Sequence, residues 1–126
     1  MEKSQSSIEF LIVTGIVFLV LTVFFVSVYV NVEEQNQKKE KIILTNIVLS
    51  VQDEINLASE SSDGYVRKFK IPGNILGKDY SIIINNNSIY ANTTHNALSL
   101  RTKEIEGQIK KGENIIRKEN GKIYLN

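Results

Sequence analysis

Few side chains in this sequence are suited to moving protons near neutral pH. His95, the single histidine, lies in the polar stretch 92–96. A histidine that acts as a general base needs a nucleophile, an orienting carboxylate and a pocket, and its sequence neighbours supply no such set. Four later carboxylates are scattered among lysines: Glu104, Glu106, Glu113 and Glu119. We interpret His95 as a solvated loop residue and the carboxylates as solvated strand faces, so the sequence predicts no catalytic residue and no enzyme.

Metal and nucleic-acid chemistry are disfavoured by the composition. The 126-residue chain has no cysteine and one histidine, which excludes thiolate and multi-histidine metal sites. Its sequence also lacks a glycine-rich phosphate loop, a nucleophile elbow and EF-hand spacing. The 15 basic and 14 acidic residues give a net charge of +1, without the broad basic field that duplex binding requires. We therefore predict no metal, no cofactor and no nucleic-acid partner.

Two sequons mark possible N-glycosylation sites at Asn86 and Asn92. The triplets are Asn86-Asn87-Ser88 and Asn92-Thr93-Thr94, and both lie in predicted turns or loops, where a glycan can project outward. Chance is the competing explanation, because the sequence is rich in Asn and Thr. Asn92 is slightly favoured because its triplet ends in threonine.

One apolar block decides the class of protein. Residues 10–32 form a run of 23 residues without a charge, enough to cross a hydrocarbon core of about 30 Å. A secretory signal has a shorter apolar stretch, followed by small residues at a cleavage site, and residues 30–34 provide no such site. The sequence therefore predicts a membrane segment that stays in the mature protein.

The residues just before the apolar block form a motif. Glu9 adjoins the block, and a carboxylate entering an apolar environment is expensive unless it is paired. The simpler interpretation is that Glu9 only favours the positive end of the helix dipole. However, Gln5, Ser7 and Glu9 alternate directly before Phe10. This string resembles the class III signal peptide of archaeal type IV pilin-like proteins.

The resemblance implies a pathway of processing and assembly. It places the cleavage between Ser4 and Gln5, so that Gln5 becomes the first mature residue, and it implies a prepilin peptidase, an assembly ATPase and a membrane platform protein as partners. The mature chain is then expected to leave the cell membrane, polymerise with its own copies through the N-terminal helix, and form an extracellular filament. An adhesive pilus is favoured because the archaellin signature differs from this motif. The resemblance also raises the expectation of glycosylation at the two sequons.

Two alternative functions and the membrane orientation remain open on the sequence. The chain can be a bitopic membrane-anchored ectodomain that binds a partner without polymerising, or it can be a minor pilin. The orientation is also open, because Lys3 precedes the apolar block while three lysines follow it, a distribution opposite to the one that the resemblance implies. Those three are Lys38, Lys39 and Lys41.

A single helix is expected to position the motif. Its second half carries an apolar stripe at helical spacing, so the helix should run from about Ser6 to about Ala58. The stripe consists of Leu44, Ile47, Val48, Val51, Ile55 and Ala58. Within the apolar block, Gly15, Thr22 and Tyr29 share one helix face, which either allows close helix packing or reflects simple tolerance of such residues in membranes.

The remainder of the sequence predicts a small β head. Strand-like alternation begins after Gly64, and Asn86-Asn87 and Asn120-Gly121 are expected hairpin turns. One or two further strands are expected between Leu98 and Ile109. The segment from Gly107 to the last residue also resembles the ends of many class III archaeal pilins. We predict an α+β fold with four parts: a leader (1–4), a hydrophobic helix (5–32), its amphipathic continuation (33–61), and an antiparallel head (62–126).

Overall fold

The computed structural model describes residues 2–126 and shows an α+β fold. The elements are α1 (Glu2–Glu60), β1 (Val66–Ile71), β2 (Ser81–Asn85), β3 (Ser88–Asn92), β4 (Ala97–Arg101), β5 (Ile105–Gly107), β6 (Gly112–Glu119) and β7 (Lys122–Leu125). The predicted fold class, α+β with a long N-terminal helix and a small β head, is confirmed, and the part of α1 from Gln37 onward packs against the strands.

Helix α1 begins earlier than the sequence predicts. It begins at Glu2, so that residues 2–4 of the predicted leader are helical, and it ends at Glu60, just after the apolar stripe and within the predicted bounds 33–61 of the amphipathic part. It contains no proline, and its single glycine is Gly15. The end coincides with a serine-rich turn in which the Ser61 hydroxyl donates to the Leu57 carbonyl at 2.6 Å.

Within the described residues, the part of the chain up to Asn36 forms one compact unit. Every valine, leucine, isoleucine and phenylalanine within residues 10–32 is exposed in it, with Phe10 at 70%. This part of the helix is long and apolar enough to cross a membrane. In hydrocarbon its intrahelical hydrogen bonds would satisfy the backbone, which makes a helix the natural form of such a run.

The second unit, Gln37–Asn126, contains the hydrophobic core. All six residues of the predicted stripe on α1 are buried, as expected from their spacing. They form one cluster with side chains from the strands and loops: Ile71, Ile75, Tyr80, Ile82, Ile84, Ile89, Ala91, Ile109, Ile116, Ile123 and Leu125. The amphipathic part of α1 is therefore fixed by apolar burial rather than by helix propensity alone.

The strands form two sheets where the sequence predicted a single antiparallel one. A four-stranded sheet has the order β1-β6-β7-β5, and a three-stranded sheet has the order β2-β3-β4. All neighbours are antiparallel except β5 and β7, which run parallel. The single-sheet prediction was incomplete because alternation identifies strands without identifying their partners.

Both predicted hairpin turns are present. Asn86 and Asn87 have φ values of 48° and 57°, and Asn120 and Gly121 have 51° and 75°. Two successive residues in the left-handed region match the twist of the flanking strands, and asparagine and glycine reach that region most easily. One or two strands were expected between Leu98 and Ile109, and the structure has two, β4 and β5, the first of which begins one residue earlier at Ala97.

Candidate functional site

The predicted processing motif lies on the exposed surface of α1. Ser4, Gln5, Ser7, Glu9 and Phe10 are all helical and exposed. Gln5 and Glu9 are four residues apart and therefore share one helix face. A carboxylate on that face is accessible to a group from outside the chain, such as an enzyme or a second subunit.

The predicted packing face is open as well. Apart from its chain neighbours and the adjacent backbone of its own helix, Gly15 has no atom within 4 Å of the position a Cβ would take, and Tyr29 is 73% exposed. The Thr22 hydroxyl donates to the Phe18 carbonyl of its own helix at 2.8 Å. Because its hydroxyl is already bonded, Thr22 can enter an apolar contact without leaving an unsatisfied polar group.

A buried carboxylate that the sequence reading missed lies further along α1. Glu40 is only 1% exposed. Its Oε1 accepts hydrogen bonds from the Thr93 hydroxyl and from Asn96 Nδ2, the latter at 3.3 Å, and its Oε2 lies 3.8 Å from Lys78 Nζ. Glu40 stands four residues before Leu44, so it lies on the helix face of the predicted apolar stripe. A charged residue on an apolar helix face was the sequence signal that could have identified Glu40 as buried.

The hydrogen bonds keep this carboxylate ionised. The Thr93 hydroxyl lowers the pKa of Glu40, burial opposes that change, and the Asn96 amide and the charges of Lys78 and His95 lower the pKa further. A buried charge is tolerated when it is hydrogen-bonded and paired. The Glu40 group therefore fixes the β3–β4 loop against α1.

Glu40 should make the stability of the head depend on pH. Because its pKa is lower in the folded state, the ionised group stabilises the fold above its ordinary pKa of 4.5, and this contribution is lost as the pH falls through the lowered value. Glu40→Gln should cost about 1–3 kcal/mol at pH 7, since a neutral amide accepts weaker hydrogen bonds from Thr93 and Asn96 and replaces a buried acceptor with an N–H donor on the side of Lys78. The difference from the wild type should shrink at acidic pH.

Urea unfolding of the full chain in detergent, followed by tyrosine fluorescence at several pH values, measures this difference. Glu60→Gln removes an exposed carboxylate from the same helix and should change the free energy of unfolding by less than about 0.5 kcal/mol. A Glu40→Gln defect that stays constant with pH would contradict an ionised buried Glu40.

The β6–β7 hairpin holds the end of α1. The Lys118 ammonium donates to the carbonyls of Ser59 at 2.7 Å and Ser61 at 2.8 Å. The Asp63 carboxylate accepts the Gly121 N–H at 2.9 Å. A cation at the carboxyl end of a helix satisfies its unpaired carbonyls and opposes the negative end of the dipole.

A second buried polar residue, also missed from the sequence, organises the chain end. Asn114 Oδ1 accepts the Lys110 N–H at 3.0 Å and Asn126 Nδ2 at 2.8 Å. Its own Nδ2 donates to the carbonyls of Lys110 at 2.7 Å and Gly112 at 3.1 Å. Such a fully bonded amide positions the last residue of the chain beside β6.

The two sequons occupy different settings. Asn86 is exposed in the β2–β3 turn, as predicted. Asn92 is also exposed, but it is the last residue of β3 rather than a loop residue, because its backbone pairs with Ser81 and Ala97. His95 lies exposed in the β3–β4 loop, in agreement with the solvated position predicted for it.

Comparisons with family models, with curated proteins and with solved structures found no match to this chain. The function is therefore inferred from the residues and from their geometry.

Proposed function

We propose that this chain is the structural subunit of an archaeal type IV pilus-like surface filament, polymerised through its N-terminal helix. The observation that carries the proposal is the apolar stretch 10–32, whose large apolar side chains are exposed, directly after the Gln5, Ser7 and Glu9 motif. An exposed apolar surface of this size requires lipid or other protein around it. Lipid provides that environment before assembly, and helices of other copies provide it afterwards.

Apolar burial alone does not drive the transfer from lipid to filament, since a lipid tail is as apolar as a leucine side chain. Close packing and polar pairing must therefore contribute direction and register. Gly15 permits close approach of a neighbouring helix, and Thr22 and Tyr29 lie on the same face. Glu9 pairs with the ammonium that cleavage creates on Gln5 of a neighbouring subunit, which offsets the burial of both charges.

Repetition of one such contact produces a filament. A head-to-tail interface whose rotation does not close generates an open helical polymer. The helices then occupy the filament core, and the β heads remain available for its surface. We assign to this surface the adhesive role of the filament, because the Gln5, Ser7 and Glu9 motif differs from the archaellin signature.

The proposed pathway needs partners in the membrane. A prepilin peptidase removes residues 1–4 by cleaving between Ser4 and Gln5, and an assembly ATPase and a membrane platform protein extract the subunit. The leader lies on the cytoplasmic side and the head on the outer side.

The main alternative is a bitopic anchor with a ligand-binding ectodomain. The same membrane-length helix is compatible with it, and Lys38, Lys39 and Lys41 favour an orientation opposite to that of a pilin. A minor pilin is the closer alternative and shares the processing step.

Mass spectrometry of the N-terminus tests the proposal directly. Protein sheared from the cell surface should begin at Gln5, and protein retained in membranes should include both precursor and mature forms. Gln5→Pro should block cleavage, because proline removes the N–H and restricts the residue before it at the scissile bond.

The rival makes the opposite prediction. A bitopic anchor retains residues 1–4, stays out of the sheared fraction and is a monomer in detergent. Recovery of that form alone would overturn the pilin proposal. Abundance in the sheared material then separates a major from a minor subunit.

A further inference from the structure

The outer face of the three-stranded sheet contains a shallow hollow of about 410 Å³. Its lining is uncharged and combines apolar, hydroxyl and amide side chains: Ser81, Ile83, Tyr90, Ala91, Asn92, Ala97, Leu98 and Ser99. Its size lies within the roughly 300–1,000 Å³ typical of small-molecule sites. In a chain with 23% charged residues, an uncharged face of this kind suits a neutral, hydroxyl-rich occupant.

Strand register places Tyr90 at the middle of this face. It pairs with Ile83 on β2 and with Ser99 on β4. Tyr90 is 42% exposed and Ile83 51% exposed, so an aromatic and an aliphatic side chain lie side by side in contact with solvent.

Asn92 stands at the edge of the same hollow. It follows Tyr90 by two residues on β3, and side chains two apart on a strand point to the same face. Its cross-strand neighbours, Ser81 and Ala97, are both small. Space is therefore available on both sides of the Asn92 amide.

Both residues that N-glycosylation requires at this sequon are exposed: the acceptor Asn92 and Thr94, the third residue of the triplet. Thr93, the intervening residue, is half-buried and bonded to Glu40. The buried Glu40 group therefore anchors the middle of the triplet while its two functional residues face solvent.

We propose that Asn92 carries an N-linked glycan whose first sugars lie in this hollow against Tyr90 and Ile83. The C–H groups on one face of a sugar ring pack on the electron-rich face of the tyrosine ring. The hydroxyls of Ser81 and Ser99 border the same space and can bond the sugar hydroxyls. The inference rests on one part of the proposed function, the placement of the head outside the cell.

Attachment uses a sugar donor carried on a lipid phosphate and a membrane transferase. Asn92 Nδ2 forms a bond to the anomeric carbon of the donor sugar, and the bond from that carbon to the phosphate oxygen breaks. The lipid phosphate leaves with the bonding electron pair, and the amide nitrogen gives one proton to a base of the transferase. No oxidant or reductant is involved.

Asn86 provides the natural comparison within the chain. It borders a smaller hollow of about 230 Å³, whose lining includes the neighbouring asparagines and Gln108 but no aromatic residue. A glycan there would project from a turn without an aromatic surface beneath it. We therefore assign the ordered glycan to Asn92.

Glycopeptide mass spectrometry of the full-length protein from cells that produce it is the first test. The wild type and Asn86→Gln should carry the glycan at Asn92, whereas Asn92→Gln should lose it. An unmodified Asn92, or a glycan found only at Asn86, would overturn the inference.

Hydroxyl-radical footprinting then tests the contact with the ring. Tyr90 should be oxidised several-fold less in the glycosylated wild type than in Asn92→Gln, while Tyr65, which precedes β1 of the other sheet, should be unchanged. The glycan should also raise the melting temperature of the head by several degrees, and Tyr90→Ser should remove most of that gain. Equal oxidation of Tyr90 in both proteins would show that the sugar does not lie on the face.

The same mass spectra separate this inference from the proposed function. A chain that begins at Gln5 with an unmodified Asn92 refutes the glycan and supports the filament subunit. A chain that keeps residues 1–4 and carries the glycan on Asn92 refutes the filament subunit and supports the glycan.

Discussion

Glu9→Gln is expected to be processed like the wild type and yet to produce at least about tenfold fewer filaments. Glutamine keeps the size of the side chain and its hydrogen-bonding ability, but it cannot neutralise the ammonium of Gln5 on a neighbouring subunit. An unpaired charge buried in the apolar core costs about 3–5 kcal/mol, and each 1.4 kcal/mol is a factor of ten in an association constant. Cleavage should persist because Glu9 lies a full helical turn beyond the scissile bond. Counting sheared filaments by electron microscopy, with mass spectrometry of the membrane-retained chain, measures both effects.

A matched control is available at the other end of the apolar stretch. Glu33→Gln removes an acid just after residue 32 and should leave filament yield unchanged, because no new charge arises beside it. Normal filaments from Glu9→Gln would refute the charge pairing. Failure of Glu9→Gln to lose its leader would instead assign Glu9 to recognition by the peptidase.

The parts of the fold that depend on neighbouring residues could be predicted from the sequence. The stripe from Leu44 to Ala58 repeats at helical spacing, and its burial follows from that spacing. The Asn86-Asn87 and Asn120-Gly121 turns follow from which residues tolerate positive φ. In each case the physical cause acts within a few residues.

The parts that depend on distant residues could not be predicted. The Glu40 carboxylate accepts a hydrogen bond from Thr93, which is 53 residues away in the sequence. The Lys118 ammonium donates to the Ser59 carbonyl, 59 residues away in the sequence. The parallel pairing of β5 with β7 is likewise a choice of partner that strand alternation does not encode. A polar residue on an apolar stripe predicts only that a partner is needed.

Prediction of the processing motif from the sequence has a different limit, because the groups that this motif is proposed to meet lie outside the chain. Gln5, Ser7 and Glu9 could be located from their spacing, and the structure places them on an exposed helix. The groups that they are proposed to meet belong to a peptidase and to other subunits. The sequon at Asn92 could be found in the sequence, but the sequence alone does not show that Tyr90 lies on the same surface. The register of the paired strands shows that both residues border one hollow.

Gly107→Ala is expected to destabilise the head by about 3–5 kcal/mol, a large part of the 5–15 kcal/mol typical of a folded protein. Gly107 pairs with Leu125 where β5 runs parallel to β7, and an added Cβ would lie 2.0 Å from the Leu125 carbonyl oxygen. Because that oxygen belongs to the backbone, relief requires the strands to separate. Gly107 also has a φ of 105°, which L-residues rarely adopt. Steric overlap and backbone strain therefore add at one position.

Two other glycines separate these effects. Gly112 has a φ of 88° but open space around its Cβ position, so Gly112→Ala should cost only the backbone strain, about 1–2 kcal/mol. Gly73 has open space and no such φ, so Gly73→Ala should change stability by less than about 0.5 kcal/mol. Urea unfolding of the three full-length variants in detergent, followed by tyrosine fluorescence, gives the order. If Gly107→Ala were no less stable than Gly112→Ala, the close approach of β5 to β7 would not constrain the head, because only the clash distinguishes the two sites.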